Sequence, residues 1–160
     1  MLRLSPFINR PRGLFLEKGI EMRITLESDY ALRIVTAIAL HENRVDAGSL
    51  ADETGVTVRF ALKILHKLVQ GGIVQSYKGA KGGYTLAMRP EEITLKTVIE
   101  LIDGPIIIAR CVESGESCAL NHDKASCAYH HIFDTLSLDV ARKLNRITIS
   151  DVINKTYSLD

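Results

Sequence analysis

Gly55 and Thr57 stand two residues apart at the junction of two patterned segments, and that spacing leaves the chain few backbone courses. Upstream, Ala47-Gly48-Ser49-Leu50-Ala51-Asp52-Glu53-Thr54 reads as a short helix stopped at Gly55. Glycine accepts the left-handed turn after a helix because it has no Cβ to clash. Downstream, Thr57 can accept backbone N–H bonds, so it predicts the cap of a basic helix running to about Gln70 and closed by Gly71-Gly72. The pattern of that helix turns Leu62, Leu65, Leu68 and Val69 inward and leaves Arg59, Lys63, His66 and Lys67 largely outward. An earlier helix, predicted from Ser28, repeats Tyr30, Ala31, Ile34, Val35, Ile38 and Ala39 at helical spacing. Short helix, glycine turn and capped basic helix are the parts of a helix-turn-helix.

The next stretch adds a hairpin. Ile73-Val74-Gln75-Ser76-Tyr77 reads as a strand and Tyr84-Thr85-Leu86-Ala87-Met88 as its return, joined by Lys78-Gly79-Ala80-Lys81-Gly82-Gly83. A plain two-residue turn needs neither six residues nor two lysines. Glycines let the backbone approach a phosphate and lysines neutralise it, which is the chemistry of a wing. The reading is a winged helix-turn-helix with Thr57, Arg59 and Lys63 at the major groove and Lys78 and Lys81 on the wing. Arg59 is the candidate for reading a guanine edge.

After Pro90 the character changes. A helix is predicted from Thr94 to Ile102, stopped at Gly104-Pro105, and a polar segment with the cysteines follows. From about Tyr129 helical periodicity resumes, with Ile132, Phe133, Leu136, Val140 and Leu144 in one narrow stripe. A long helix with a narrow apolar face predicts pairing with the same helix of a second subunit. A last short helix is predicted around Ile147–Val152. The expected fold class is therefore mainly α with a small β-hairpin wing. Its domains are a DNA-binding domain at 22–90 and a cysteine-loop and dimerisation-helix region at 91–160.

Charge divides along the same line. Residues 1–90 carry 13 Lys/Arg against 8 Asp/Glu, a net of +5, and residues 91–160 carry 7 against 11, a net of −4. A basic half suits a polyanion, and the acidic half has another task. Residues 1–21 form an N-terminal extension without the uninterrupted apolar run of a signal peptide. Met22 opens the patterned region, and a purine-rich run resembling a ribosome-binding site can encode Glu17-Lys18-Gly19, so Met22 is a candidate native start. No apolar stretch approaches the roughly 20 residues that span a bilayer, and the expectation is a cytoplasmic protein.

Three cysteines, Cys111, Cys118 and Cys127, fall within seventeen residues, and His130 follows three positions after the last. An odd number of cysteines without an export signal argues against a disulfide framework. Thiolates suit iron–sulfur clusters and Zn²⁺, and the absence of a Cys-x₂-Cys knuckle weighs against structural zinc. A metal-free thiol sensor is the third option. Nothing in the sequence forms a nucleophile–base pair or a phosphate loop, so no enzyme is expected.

This order of features resembles the Rrf2 family of bacterial transcription regulators from Met22 to about Ile153. The resemblance rests on Met22-Arg23-Ile24-Thr25 opening the first helix, Thr57 with Phe60, and Ile64-Leu65…Leu68 before Gly71-Gly72-Ile73-Val74. The wing Gly79-Ala80-Lys81-Gly82-Gly83-Tyr84-Thr85-Leu86 and the cysteine loop before the long helix complete it. It implies a homodimer on a palindromic promoter site in double-stranded DNA. It also implies an iron–sulfur cluster (2Fe–2S or 4Fe–4S) that senses iron–sulfur supply, iron, nitric oxide or redox state. Some family members lack the cysteines and sense by other means, including a bound partner enzyme. Two residues match fourth ligands used in the family. His130 matches the histidine of iron–sulfur-biogenesis regulators, and Asp29 matches the helix-one aspartate that nitric-oxide sensors supply from the partner subunit. A cap for the first helix is the competing role for Asp29.

Overall fold

In the computed structural model, residues 24–79, 82–113 and 124–158 are described. Cys118 and Lys81 lie outside them, as does the extension 1–21. Six α-helices and one hairpin make up the described chain. Helix α1 (Leu26–Leu40) starts earlier than its apolar period suggests, because the Thr25 hydroxyl accepts from the Ser28 N–H at 3.2 Å. The capping role therefore belongs to Thr25. Asp29 lies in the first turn and pairs with Arg33 at 2.9 Å.

Helix α2 (Ala47–Thr54) is capped by Asp46, whose carboxylate accepts from the Gly48 and Ser49 N–H groups. It ends at Gly55, in the left-handed region at φ 73°. Helix α3 (Val58–Gln70) follows with Thr57 as its cap, accepting from the Phe60 N–H at 3.3 Å. It buries Ala61, Ile64, Leu65 and Leu68. Leu62, expected inward, is 45% exposed. Ile64 and Leu65 hold the edges of the buried arc, and Leu62 lies about 60° beyond Leu65.

Strands β1 (Val74–Tyr77) and β2 (Gly83–Leu86) pair antiparallel, from Val74 opposite Leu86 to Tyr77 opposite Gly83. Val45 adds a bridge on the outer edge, exchanging N–H···O bonds of 3.1 and 2.8 Å with Tyr84. Gly83 has φ 145°, and a Cβ there would lie 2.9 Å from the Val45 carbonyl oxygen. Only glycine lets the α1–α2 connection lie this close to the wing.

Helix α4 (Leu95–Asp103) is capped by Thr94 and ends at Gly104. Its C-terminal Asp103 accepts from the Thr25 hydroxyl and N–H, tying it to the start of α1. Helix α5 (Ala128–Arg146) is long, and Ser137 is its one buried residue. Helix α6 (Ile149–Asn154) opens with a reciprocal capping box between Thr148 and Asp151. The chain then closes on itself. The Leu95 N–H donates to the Ile147 carbonyl and the Ile149 N–H to the Ile93 carbonyl, both at 2.9 Å. Ile93, Val98 and Ile149 consequently share one apolar core with Ile34, Leu50 and Leu65. No helix among the described residues is long and apolar enough to cross a membrane.

Candidate nucleic-acid interface and cysteine loop

The core-facing arc of α3 fixes what its other side presents. Val58, Arg59, Leu62, Lys63 and His66 are all exposed. Thr57, Arg59, Phe60 and Lys63 line a shallow hollow at the helix start. The Thr57 oxygen is engaged by the backbone as a cap, leaving the Arg59 guanidinium as the nearest free polar reach.

Two contacts hold α3 against α1. The rings of Tyr30 and Phe60 meet edge to face, with centroids 5.9 Å apart. Below them, Glu27 on α1 takes two lysines of α3. Lys63 Nζ donates to Oε2 at 2.9 Å, and Lys67 Nζ forms an ion pair with Oε1 at 2.8 Å. Partial burial acts to raise the pKa of Glu27, but its bonds to Lys67 and Lys63 and their charges outweigh it and hold the carboxyl below its usual range. Lys63, expected at the groove, is thus half-neutralised in the free chain. Sequence spacing offered no signal for this, since Glu27 and Lys63 are 36 positions apart.

On the wing, Lys78 is exposed beside the turn at Gly79. Arg44 was not singled out in the sequence. Its guanidinium lies 3.6 Å from the Tyr77 ring centroid, so a cation beside Lys78 joins the base of the hairpin. Its partner is distant in sequence, and the local pattern around Arg44 is an ordinary polar connection.

Cys111 and Cys127 flank the segment 114–123. Cys111 sits in a 3₁₀ turn, Arg110–Val112, that packs against α5. Cys127 occupies the position before the first residue of α5 and makes no side-chain cap bond. Both are free, half-buried thiols, and His130 is half-buried one turn along the same helix. The approach to Cys111 is fixed by the Ile108 N–H, which donates to Ser137 Oγ at 3.0 Å. Lys124 Nζ donates to the Glu113 carbonyl at 3.1 Å and clasps the two ends of the segment. Two soft donors therefore flank a segment whose ends are clasped together, which suits thiolate ligation in donor type. Among the described residues, though, no three His, Cys, Asp or Glu side chains converge as a metal group. Cys111, Cys127 and His130 are not gathered with one another, and Asp29 remains on α1 with Arg33.

The Rrf2 family model, described as an iron-dependent transcriptional regulator, matches residues 24–155. The chain is 30% identical over 141 residues to the HTH-type transcriptional regulator IscR of Pectobacterium atrosepticum, covering 87% of this chain and 84% of that protein. In fold it is similar to CymR (YrzC), the global cysteine regulator of B. subtilis, at TM-score 0.68 and 23% identity, covering 86% of this chain and all of that one. The T. potens IscR structure gives TM-score 0.68 at 20% identity, with 85% of this chain and 89% of that chain covered.

Proposed function

The chain belongs to the Rrf2 family of transcriptional regulators, and from that premise we propose that it regulates transcription as a homodimer whose DNA affinity follows an iron–sulfur cluster. The family consists of DNA-binding regulators rather than enzymes. Thr57, Arg59 and Lys63 of α3 are the proposed major-groove residues, with Lys78 and Lys81 on the wing. The operator is a palindrome because two identical reading heads impose their two-fold symmetry on it.

The observation that carries the dimer is α5. Tyr129 is 73% and Ile132 52% exposed, and Leu136 and Val140 are exposed on the same side of the helix. An apolar face this long is unusual on a lone subunit. A matching face on a second α5 would cover it.

Cys111, Cys118 and Cys127 are the proposed cluster ligands, with His130 or Asp29 as the fourth. Support comes from the donor set, from the clasp between Lys124 and Glu113, and from the iron-dependent description of the family. A cluster bound there supplies a link between thiolates that is sensitive to iron supply and oxidation. The protein's own part is to carry a change in the loop to the reading head. The turn at Cys111 packs on α5, α5 packs on α4, and α4 packs on α3. Gly71 at the end of α3 lies so close to Leu101 of α4 that a Cβ would collide with that side chain. Movement of α4 is therefore passed to the recognition helix through this close contact.

The alternative is a family member without a cluster, acting through thiol oxidation, zinc or a protein partner. The observation in its favour is that Cys111, Cys127 and His130 do not converge. Purification without oxygen separates the two readings. Brown protein with equal iron and sulfide, lost on Cys118→Ala, supports the cluster, and the iron count distinguishes two irons from four. Colourless protein without iron or sulfide favours the alternative, and DNA binding unchanged by Cys118→Ala then narrows it to a protein partner. Sedimentation of the full chain tests the dimer.

A further inference from the structure

The recognition helix exposes hydrocarbon where it should be wettest. Val58 is 46% and Leu62 45% exposed, four residues apart and so stacked one turn above the other. His66 continues that row, and Arg59 and Lys63 form the adjacent one. Single exposed apolar residues are ordinary on protein surfaces. Two in register in the first half of the helix, beside a row of cations, describe a surface that matches an anionic partner with an apolar spot inside it. The major groove of DNA is such a partner. Its walls are phosphate, and the C5-methyl of thymine is the apolar group among its base edges.

We infer that Val58 and Leu62 read thymine methyl groups, so that each operator half-site carries A·T pairs at the positions they cover. The inference rests on the DNA-binding reading above and adds base identity to it. The two side chains have no hydrogen-bonding atoms. Facing a G·C pair, they would bury polar base atoms against hydrocarbon without partners, which disfavours that pair as well as favouring thymine. Their separation along the helix, about 6 Å, corresponds to about two base steps. N-terminal residues of a recognition helix are the ones that meet base edges, and Val58 and Leu62 are its first and fifth residues. Arg59 lies between them in sequence on the cationic row, available for a guanine at an adjoining position.

The test uses the full chain and duplexes selected from a random-sequence pool at fixed salt. Thymines in the selected half-site are replaced one at a time by deoxyuridine, which removes the methyl and keeps every hydrogen-bonding group. Binding is read by fluorescence anisotropy. At two positions per half-site the wild type should lose about four-fold in affinity per methyl removed. Leu62→Ala should abolish the distinction at one of these positions and Val58→Ala at the other, each leaving the salt dependence unchanged. Both side chains are exposed, so neither substitution threatens the fold. Sequence-specific binding with no thymine–deoxyuridine difference would overturn the inference and leave the DNA-binding reading intact. Failure to retain any duplex at low salt would overturn both.

Discussion

Glu27, in the first turn of α1, holds Lys63 of the recognition helix at 2.9 Å. Lys67 shares the same carboxylate. The carboxylate does two things at once: it sets α3 against α1, and it cancels one positive charge, shared between the two lysines, that α3 would otherwise present. Charges already neutralised inside the protein release fewer counterions from DNA.

Glu27→Gln should therefore strengthen binding to random-sequence duplex. It should also steepen the plot of log affinity against log salt by about 0.9, the value for the one positive charge that the carboxylate had cancelled. Both lysines are partly exposed, so the loss of fold stability should stay within about 1 kcal/mol for each pair. A slope equal to or flatter than that of the wild type would show that the lysines are not freed.

Gly71→Ala tests the contact between α3 and α4. Gly71 has φ −80°, so alanine strains no backbone there, and the cost comes from Leu101 alone. Overpacking of this kind should destabilise the protein by about 1–3 kcal/mol in urea melts. Combining it with Leu101→Ala should recover part of that loss relative to the sum of the single changes. Strict additivity would remove Leu101 from the explanation.

Ile149→Ala addresses how firmly the C-terminal helix is joined to the DNA-reading part. Ile149 is fully buried in the core it shares with α1 and α3. The expected cost is about 2–5 kcal/mol, with far-UV circular dichroism still showing one cooperative transition. A separate early transition would indicate that residues after Pro90 unfold on their own.

Acid stability should follow the capping box of α6. The Asp151 pKa is lowered first by its bond to the Thr148 hydroxyl and then by the Thr148 N–H. A carboxyl with a depressed folded-state pKa contributes stability above its unfolded value and loses it as pH falls through the folded one. The melting temperature should therefore decline below the ordinary carboxylate range. Asp151→Ala should start lower at neutral pH and decline less. Parallel curves for the two proteins would contradict the assignment.

Several of these features were legible from neighbouring residues alone. Gly55 stops α2 and Thr57 caps α3 because a left-handed turn and an N-terminal hydroxyl act within four residues of themselves. The wing and the termination of α4 at Gly104 are local in the same way. Near misses came where the local signals competed. Apolar spacing starts α1 at Ser28, but the Thr25 hydroxyl wins because unsatisfied N–H groups are a stronger demand than period.

What local pattern could not carry was direction and distance. Leu62 is as hydrophobic as Leu65, and only the packing of α3 on α1 and α4 decides that Leu65 is buried and Leu62 faces out. The Glu27–Lys63 pair, the Arg44–Tyr77 stack and the seat of Ile149 in the core join residues 36, 33 and more than 100 positions apart. The donor chemistry around the cysteines was readable from residue type, since thiolates are soft wherever they stand, but ligation needs convergence. Sequence alone thus determined the helix-turn-helix and the hairpin, both built by interactions within a few residues, and the thiolate-rich composition between α4 and α5. Only the tertiary structure decided which side chains the recognition helix shows to its partner, because that depends on which face the rest of the chain has already covered.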